Sequence, residues 1–350
     1  RKYNGIEYDS RKIKENYIFV AFEGANVDGH DYIDSAVKNG ATCIIVSKEV
    51  EMKYNVSYVL IEEIRHKLGY IASNFYEWPQ RKLKIIGVTG TNGKTSSTYM
   101  IEKLMGNVPI TRIGTIEYKV GDEVFDAVNT TPESLDLIKI FDKTLKKKIE
   151  YVVMEVSSHS LEIGRVEVVD FDYALFTNLT QDHLDYHLTM ENYFQAKRKL
   201  FLKLKDLNNS VINIDDEYGK RLYDEFIVDN PEIISYGIDG GDLEGEYLDD
   251  GYIDIKFKEK VEKANPGKVV SVDEKGNVTV TDPQSGKAVT ISADKLVVKQ
   301  GNGASLDKAV SEIKGRLAST GLNSTEGASL GFAALLAGLA LAVRKRKEEE

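Results

Sequence analysis

The sequence predicts an α/β protein in three parts. A small α/β N-terminal unit comes first, then a central P-loop-type, mostly parallel sheet with helices on both faces, then a β-rich and helical C-terminal segment of unrelated type. Three observations predict it. From Leu83 to about Gly237, short apolar runs of strand length alternate with stretches of helical spacing, a pattern that calls for parallel strands joined by crossover helices. One of those runs passes straight into the glycine-rich turn Gly87-Val88-Thr89-Gly90-Thr91-Asn92-Gly93-Lys94-Thr95. Beyond about Lys258 the pattern changes to alternating valines and threonines, then to a long apolar stretch.

The chain has 350 residues, enough for two or three domains with a sizeable core. Its net charge of −10 argues against a general nucleic-acid or anionic-membrane binder, while leaving room for a locally basic phosphate pocket. Cys43 is the one cysteine, so no intrachain disulfide is possible, and a reducing compartment fits. It lies in the apolar run Ala41 to Val46 and reads as a core residue. The chain opens Arg1-Lys2-Tyr3-Asn4 with no apolar segment, so no secretory signal is expected, and without an initiator Met its start is expected to be trimmed.

Residues 1 to about 80 form the first unit. Tyr17–Phe22 and Ala41–Val46 read as strands, and Asp31–Asn39 and Glu62–Tyr76 as helices. Trp78-Pro79 ends the second helix, because the residue before proline leaves the α region. Asp9-Ser10-Arg11 and Asp28-Gly29-His30 fall at element ends, where ligand contacts gather. In the central part, 81–258, the expected strands are Leu83–Val88, Tyr151–Met154, Phe171–Phe176, Ser210–Ile214 and Glu232–Tyr236. The expected helices are Thr95–Met105, Ser134–Lys147, Glu191–Leu204 and Asp216–Glu225.

The turn at 87–95 is the candidate anion site. Backbone N–H groups at a helix start, aided by the helix dipole, favour negative charge. Lys94 supplies a point charge for β/γ-phosphates and the Thr95 hydroxyl can hold Mg²⁺. The fit to G-x-x-x-x-G-K-[ST] is imperfect, with Val88 at the first glycine position. In open parallel sheets, ligands bind beyond the carboxyl ends of the strands. Two strands that follow one another along the chain end in Glu155-Val156-Ser157-Ser158-His159 and in Thr177-Asn178-Leu179-Thr180-Gln181-Asp182-His183-Leu184-Asp185-Tyr186-His187. A carboxylate such as Glu155 and a histidine such as His183 suit a divalent cation that bridges phosphate oxygens.

Four stretches together resemble the Mur ligases: Thr89–Thr95, Asn129-Thr130-Thr131-Pro132, Glu155–His159 and Asn178–His187. The likeness is greatest to the MurE-type branch, which adds a diamino acid to UDP-N-acetylmuramoyl-L-alanyl-D-glutamate. Phe194-Gln195-Ala196-Lys197-Arg198-Lys199-Leu200-Phe201 resembles that family's lysine helix, and the Asp9–Arg11 and Asp28–His30 stretches resemble its UDP-binding first domain. The resemblance spans about residues 3–258. It implies an ATP-dependent ligase of peptidoglycan precursor synthesis, active in the cytoplasm with Mg²⁺. ATP would be held by Gly90, Thr91, Asn92, Gly93, Lys94, Thr95 and Ser96. Cations would be held by Thr95, Glu155, His183 and a CO₂-derived carbamate on Lys197; Lys94, Glu155, His183 and Lys197 would be catalytic. The UDP-linked dipeptide would be held by Ser10, Asn129, Thr130, Thr131, Ser157 and Arg165, whose fork suits a carboxylate or phosphate. The incoming partner would be meso-diaminopimelate or L-lysine.

Nothing after about Lys258 matches the family's third domain, which holds the diamino acid, so low turnover is expected. Residues 259–350 read as a tail: a β-meander over 267–299, a short amphipathic helix at Leu306–Leu317, and an apolar stretch at 328–343. Leu317–Gly321, the apolar stretch and Arg344–Lys347 resemble a sortase-type sorting signal, with Ala318 where proline is usual. Sixteen residues make about 24 Å of helix, short of a hydrocarbon core of about 30 Å, which argues against a membrane span. Two rivals stay open. One is a folylpolyglutamate-synthase-like ligase, which Thr95 directly after Lys94 speaks against; the other is a surface-anchored binding protein, suggested by residues 317–347 alone.

Overall fold

The computed structural model describes residues 2–24, 27–105, 108–237 and 240–247, and beyond them the strand backbones at 253–255, 269–272, 278–281 and 288–291. The readings at 306–317, 317–347 and 328–343 lie outside the described residues.

Four parallel strands build the first sheet in the order β1 (Gly5–Glu7), β2 (Tyr17–Ala21), β3 (Ala41–Val46), β4 (Ser57–Leu60). The run expected to reach Phe22 stops at Ala21, and β1 and β4 were not foreseen. Three residues for β1 and a mostly exposed β4 leave too little apolar pattern to read. The helix expected at 31–39 is a short 3₁₀ turn, Gly29–Tyr32, followed by α1 (Ile33–Lys38), with Asp28 capping the turn through the His30 N–H. α2 (Ile64–Tyr76) ends where proline requires: Glu77 and Trp78 both have positive φ, and Pro79 opens a 3₁₀ turn.

The central sheet has ten strands. Along the chain they are β5 (Lys84–Thr89), β6 (Ile110–Ile113), β7 (Glu117–Val120), β8 (Glu123–Asp126), β9 (Tyr151–Glu155), β10 (Tyr173–Phe176), β11 (Ser210–Asn213), β12 (Ile234–Gly237), β13 (Leu243–Tyr247) and β14 (Ile253–Ile255). Across the sheet the order is β14-β13-β12-β11-β10-β5-β9-β6-β7-β8. Strands β13 through β6 in that order pair in parallel, and the flanking β14, β7 and β8 pair antiparallel. All five expected strands are present within a residue or two. The extension β6–β8 was missed, since its four-residue strands carry polar and charged side chains.

The helices are α3 (Lys94–Leu104), α4 (Ser134–Lys146), α5 (Ser158–Glu162), α6 (Leu184–His187), α7 (Met190–Leu202) and α8 (Glu217–Phe226). From β5 the chain runs one way across the sheet through α3 to β6, and later the opposite way from β10 to β11 through α6 and α7. Right-handed crossovers in opposite directions lie on opposite faces. β5 is thus the switch point, with β9 on one side and β10 on the other, and their carboxyl ends share a rim.

Packing places α7 close to β5. A Cβ at Gly87 would lie 2.9 Å from both Leu200 and Phe171 carbons, so the bare glycine is what admits the helix. The first unit is joined to the central sheet by a shared apolar cluster in which Leu68 and Ala72 of α2 join Leu135, Ile138 and Phe141 of α4. Tyr8 also hydrogen-bonds Asp136, and Glu7 pairs with Lys139. A separate antiparallel sheet, β15 (Val269–Val272), β16 (Val278–Thr281) and β17 (Ala288–Ile291), lies within the expected meander at 267–299.

Candidate functional site

The loop from β5 to α3 is built by close approach. Gly90 has φ +150°, and a Cβ there would fall 1.9 Å from the Thr177 hydroxyl; Gly93 has φ +85° and begins α3. The loop is pinned to the end of β10. The Thr91 N–H donates to the Asn178 carbonyl at 2.9 Å, the Asn92 N–H to Asn178 Oδ1 at 3.0 Å, and the Thr177 hydroxyl to the Asn92 carbonyl at 2.6 Å. Asp216 holds the next turn: its carboxylate accepts from the Leu179 N–H at 2.9 Å and caps α8 through the Gly219 N–H at 2.8 Å.

Two lysines converge on this loop from different elements. Lys94 Nζ donates to the carbonyls of Gly90 and Thr91, each at 2.9 Å. Lys197 Nζ donates to the same Gly90 carbonyl at 2.7 Å and sits 4.5 Å from the Tyr193 ring centroid. Lys197 is 1% exposed, on the α7 face that also buries Tyr193, Phe194, Leu200 and Phe201. Burial, with the Lys94 ammonium next, holds Lys197 well below the ordinary lysine range. Burial also lowers Lys94, against the pull of Glu155 and Asp182.

Glu155 ends β9 and is 1% exposed. Its two carboxylate oxygens accept from one residue, Thr115, through the N–H at 2.9 Å and the hydroxyl at 3.0 Å. Beside it the Thr131 hydroxyl donates to the Glu155 carbonyl at 2.9 Å and accepts from the Ser157 N–H at 3.1 Å. The Arg165 guanidinium donates to the Thr131 carbonyl at 3.0 Å and to Glu133 at 2.8 Å. The Asn129 N–H donates to the Tyr118 hydroxyl at 3.1 Å, and Thr130 lies 3.1 Å from the Thr115 hydroxyl.

The structure therefore gathers Lys94, Glu155 and Lys197 at one rim, with Asn129, Thr130, Thr131, Ser157 and Arg165 contiguous to Glu155. His183 sits on the same rim, in the left-handed region at φ +51°. Its side chain is 61% exposed, 3.5 Å from Asp182 and edge-on to Tyr193. Among the described residues no three His, Cys, Asp or Glu side chains cluster as a metal site. A cation site here would need the Thr95 hydroxyl, which bonds no described protein group, or a modified Lys197. Ser10 lies apart, in the 3₁₀ turn that follows β1, where its carbonyl accepts from the Asn39 side chain at 2.9 Å. Beyond the carboxyl ends of β2 and β3, Asp28 binds His30 and Lys48, and the Ser47 N–H donates to His30. Thr115, Thr177, Tyr193 and Asp216 were not singled out from sequence. Thr115 follows a four-residue strand with no motif around it, so nothing local marks it.

A glycine-rich loop at the switch point of a parallel sheet, with a helix start behind it and lysines from two elements on one of its carbonyls, has the geometry of an anion site in an open α/β sheet. The chain belongs to the Mur ligase family: the Mur ligase middle-domain model matches residues 88–290 and the family's catalytic-domain model residues 2–76. The middle-domain match runs past residue 258, where the motif resemblance ends, and takes in most of the small antiparallel sheet. The UDP-N-acetylmuramoyl-L-alanyl-D-glutamate–2,6-diaminopimelate ligase of Fusobacterium nucleatum is 90% identical over 263 residues, 75% of this chain and 54% of that one. The like-named ligase of Caldanaerobacter subterraneus is 43% identical over 262 residues, 74% and 53% of the two chains. The chain spans about half the length of the curated relatives it matches. MurF from Acinetobacter baumannii shares the fold at TM-score 0.59 and 17% identity, over 97% of this chain and 60% of that one. Among the described residues, no helix is long and apolar enough to cross a membrane.

Proposed function

We propose that the chain carries the nucleotide and UDP-substrate sites of a cytoplasmic, MurE-type ligase. Such an enzyme activates the D-glutamate side-chain carboxylate of UDP-N-acetylmuramoyl-L-alanyl-D-glutamate with the ATP γ-phosphate. The acyl phosphate is attacked by the amine of the diamino acid, meso-diaminopimelate or L-lysine, and the tetrahedral adduct releases phosphate. The observation that carries the reading is the convergence of Lys94, Glu155 and Lys197 around one loop carbonyl and one sheet rim. Two anions must meet for the first step, so cationic groups must offset their repulsion.

Each residue has a task that its chemistry fits. Lys94 and the amides from Gly90 to Ser96 hold the β/γ-phosphates. Thr95, Glu155 and His183 suit Mg²⁺, which when bound neutralises charge on the phosphate oxygens. Glu155 has two lone pairs left after its bonds to Thr115. Lys197 as an ammonium has no lone pair for a metal. Its burial and the neighbouring Lys94 favour the neutral amine, which adds to CO₂ with loss of one proton to give a carbamate with two ligating oxygens. Thr131, Ser157 and Arg165 hold the muramoyl dipeptide, with Arg165 exchanging Glu133 for a substrate carboxylate; Ser10 meets the UDP end. The expected behaviour of the residues that the two family models match is binding of Mg–ATP and of the UDP-linked dipeptide. Calorimetric titration with UDP-N-acetylmuramoyl dipeptide and with folate tests this. Binding of the former alone supports the proposal; binding of folate alone favours the folylpolyglutamate-type rival and overturns it.

A further inference from the structure

Glu155 owes its orientation to a residue that no motif marks. Its buried carboxylate lies against bare backbone at Gly114, where a Cβ would fall 2.2 Å from Oε1. Thr115 then takes one oxygen with its N–H at 2.9 Å and the other with its hydroxyl at 3.0 Å. A hydroxyl has a single proton and a carboxylate only accepts. With its proton committed to Glu155, the Thr115 oxygen can only accept from Thr130, 3.1 Å away. The donor order is therefore fixed: Thr130 to Thr115 to Glu155. The next residue, Thr131, holds the Glu155 carbonyl. Residues 130 and 131 thus grip Glu155 at side chain and backbone.

We propose that Thr115 is a positioning residue: it clamps the Glu155 carboxylate for a divalent cation and joins it, through Thr130, to the segment that holds the acceptor substrate. The proposal rests on the reading of Glu155 as a cation ligand. A substrate group that accepts from the Thr130 hydroxyl takes the proton from Thr115, and the carboxylate clamp changes with it. Cation binding and acceptor binding are coupled through two hydroxyls.

The test is Mn²⁺ affinity in the presence of ATP, read by the electron paramagnetic resonance of free Mn²⁺, on the whole chain and three variants. Thr115→Val keeps the shape, loses the hydroxyl, and is expected to weaken Mn²⁺ about tenfold, the scale of a hydrogen bond to a charged group. Thr115→Ser restores affinity to within about threefold. Thr130→Val weakens Mn²⁺ about threefold in the native background and not at all in Thr115→Val, because coupled partners are non-additive. Thr115→Val leaves a buried carboxylate oxygen short of a donor and is expected to unfold at a lower temperature than the native chain, whereas Thr115→Ser keeps the bond and the native temperature; Mn²⁺ is titrated well below both transitions, which separates positioning from loss of fold. Unchanged affinity in Thr115→Val, failure of Ser to restore it, or equal effects of Thr130→Val in both backgrounds overturns the relay. Should Thr115→Val not fold, Thr130→Val alone decides, and unchanged affinity overturns the proposal. No Mn²⁺–ATP binding by the unaltered chain overturns the ligase reading itself.

Discussion

Replacing Lys197 with methionine should stabilise the protein at neutral pH, although it deletes a buried hydrogen bond. Lys94 and Lys197 donate to the same Gly90 oxygen at 2.9 and 2.7 Å, so their nitrogens are within 5.6 Å, the two bonds laid end to end. Two ammonium charges at that separation repel by about 3 kcal/mol at an effective dielectric constant of about 20. If Lys197 instead sheds its proton on folding, that deprotonation carries the cost. Against it stands the lost bond to Gly90, about 1.5–3 kcal/mol for a charged donor; the burial of the ammonium, which costs several kcal/mol per ion, adds to the repulsion. Lys197→Met should therefore gain at least about 1–2 kcal/mol near pH 7.

The sign of the pH dependence follows from the same burial. Lys197 is depressed in the folded state, so between that value and the ordinary lysine value of about 10.4 the unfolded chain holds more protons. Native stability should rise with pH across that window, and Lys197→Met should lack this component. Urea unfolding at about pH 7 and about pH 9.5 in CO₂-free buffer measures both effects. Adding ¹³C-bicarbonate should stabilise the native chain and give a carbamate carbon resonance, with neither response in Lys197→Met. A variant no more stable than the native chain near pH 7, or parallel pH profiles for the two, would refute the reasoning.

Two further substitutions test the loop. Gly90→Ala places a methyl 1.9 Å from the Thr177 hydroxyl at a positive φ. It should cost about 2–5 kcal/mol by urea unfolding, from backbone strain and a displaced buried hydroxyl, and Thr177→Ala in the same chain should recover part of the loss. Asp216→Ala removes the cap of α8 and the acceptor of the Leu179 N–H. A loss of about 1–3 kcal/mol is expected, with faster amide exchange at Leu179.

The sequence by itself determined the elements whose signal is local. A short, mainly apolar run at Leu83–Val88, Lys84 apart, ahead of a glycine turn marked β5, and the glycine-rich loop followed because glycine, lysine and threonine act there through backbone geometry and charge within a few residues. Helical spacing gave α4, α7 and α8 nearly to the residue. Tertiary structure decided what depends on distant partners. On spacing alone Lys197 is a helix lysine like Lys199; only the approach of α7 over Gly87 buries it on the Gly90 carbonyl. Glu155 and Thr115 are 40 residues apart and meet only because β9 inserts between β5 and β6. Strand order is set by long-range pairing, which leaves no periodic trace in a four-residue strand, so the polar extension β6–β8 and the carboxylate clamp it supplies became visible only in the folded sheet.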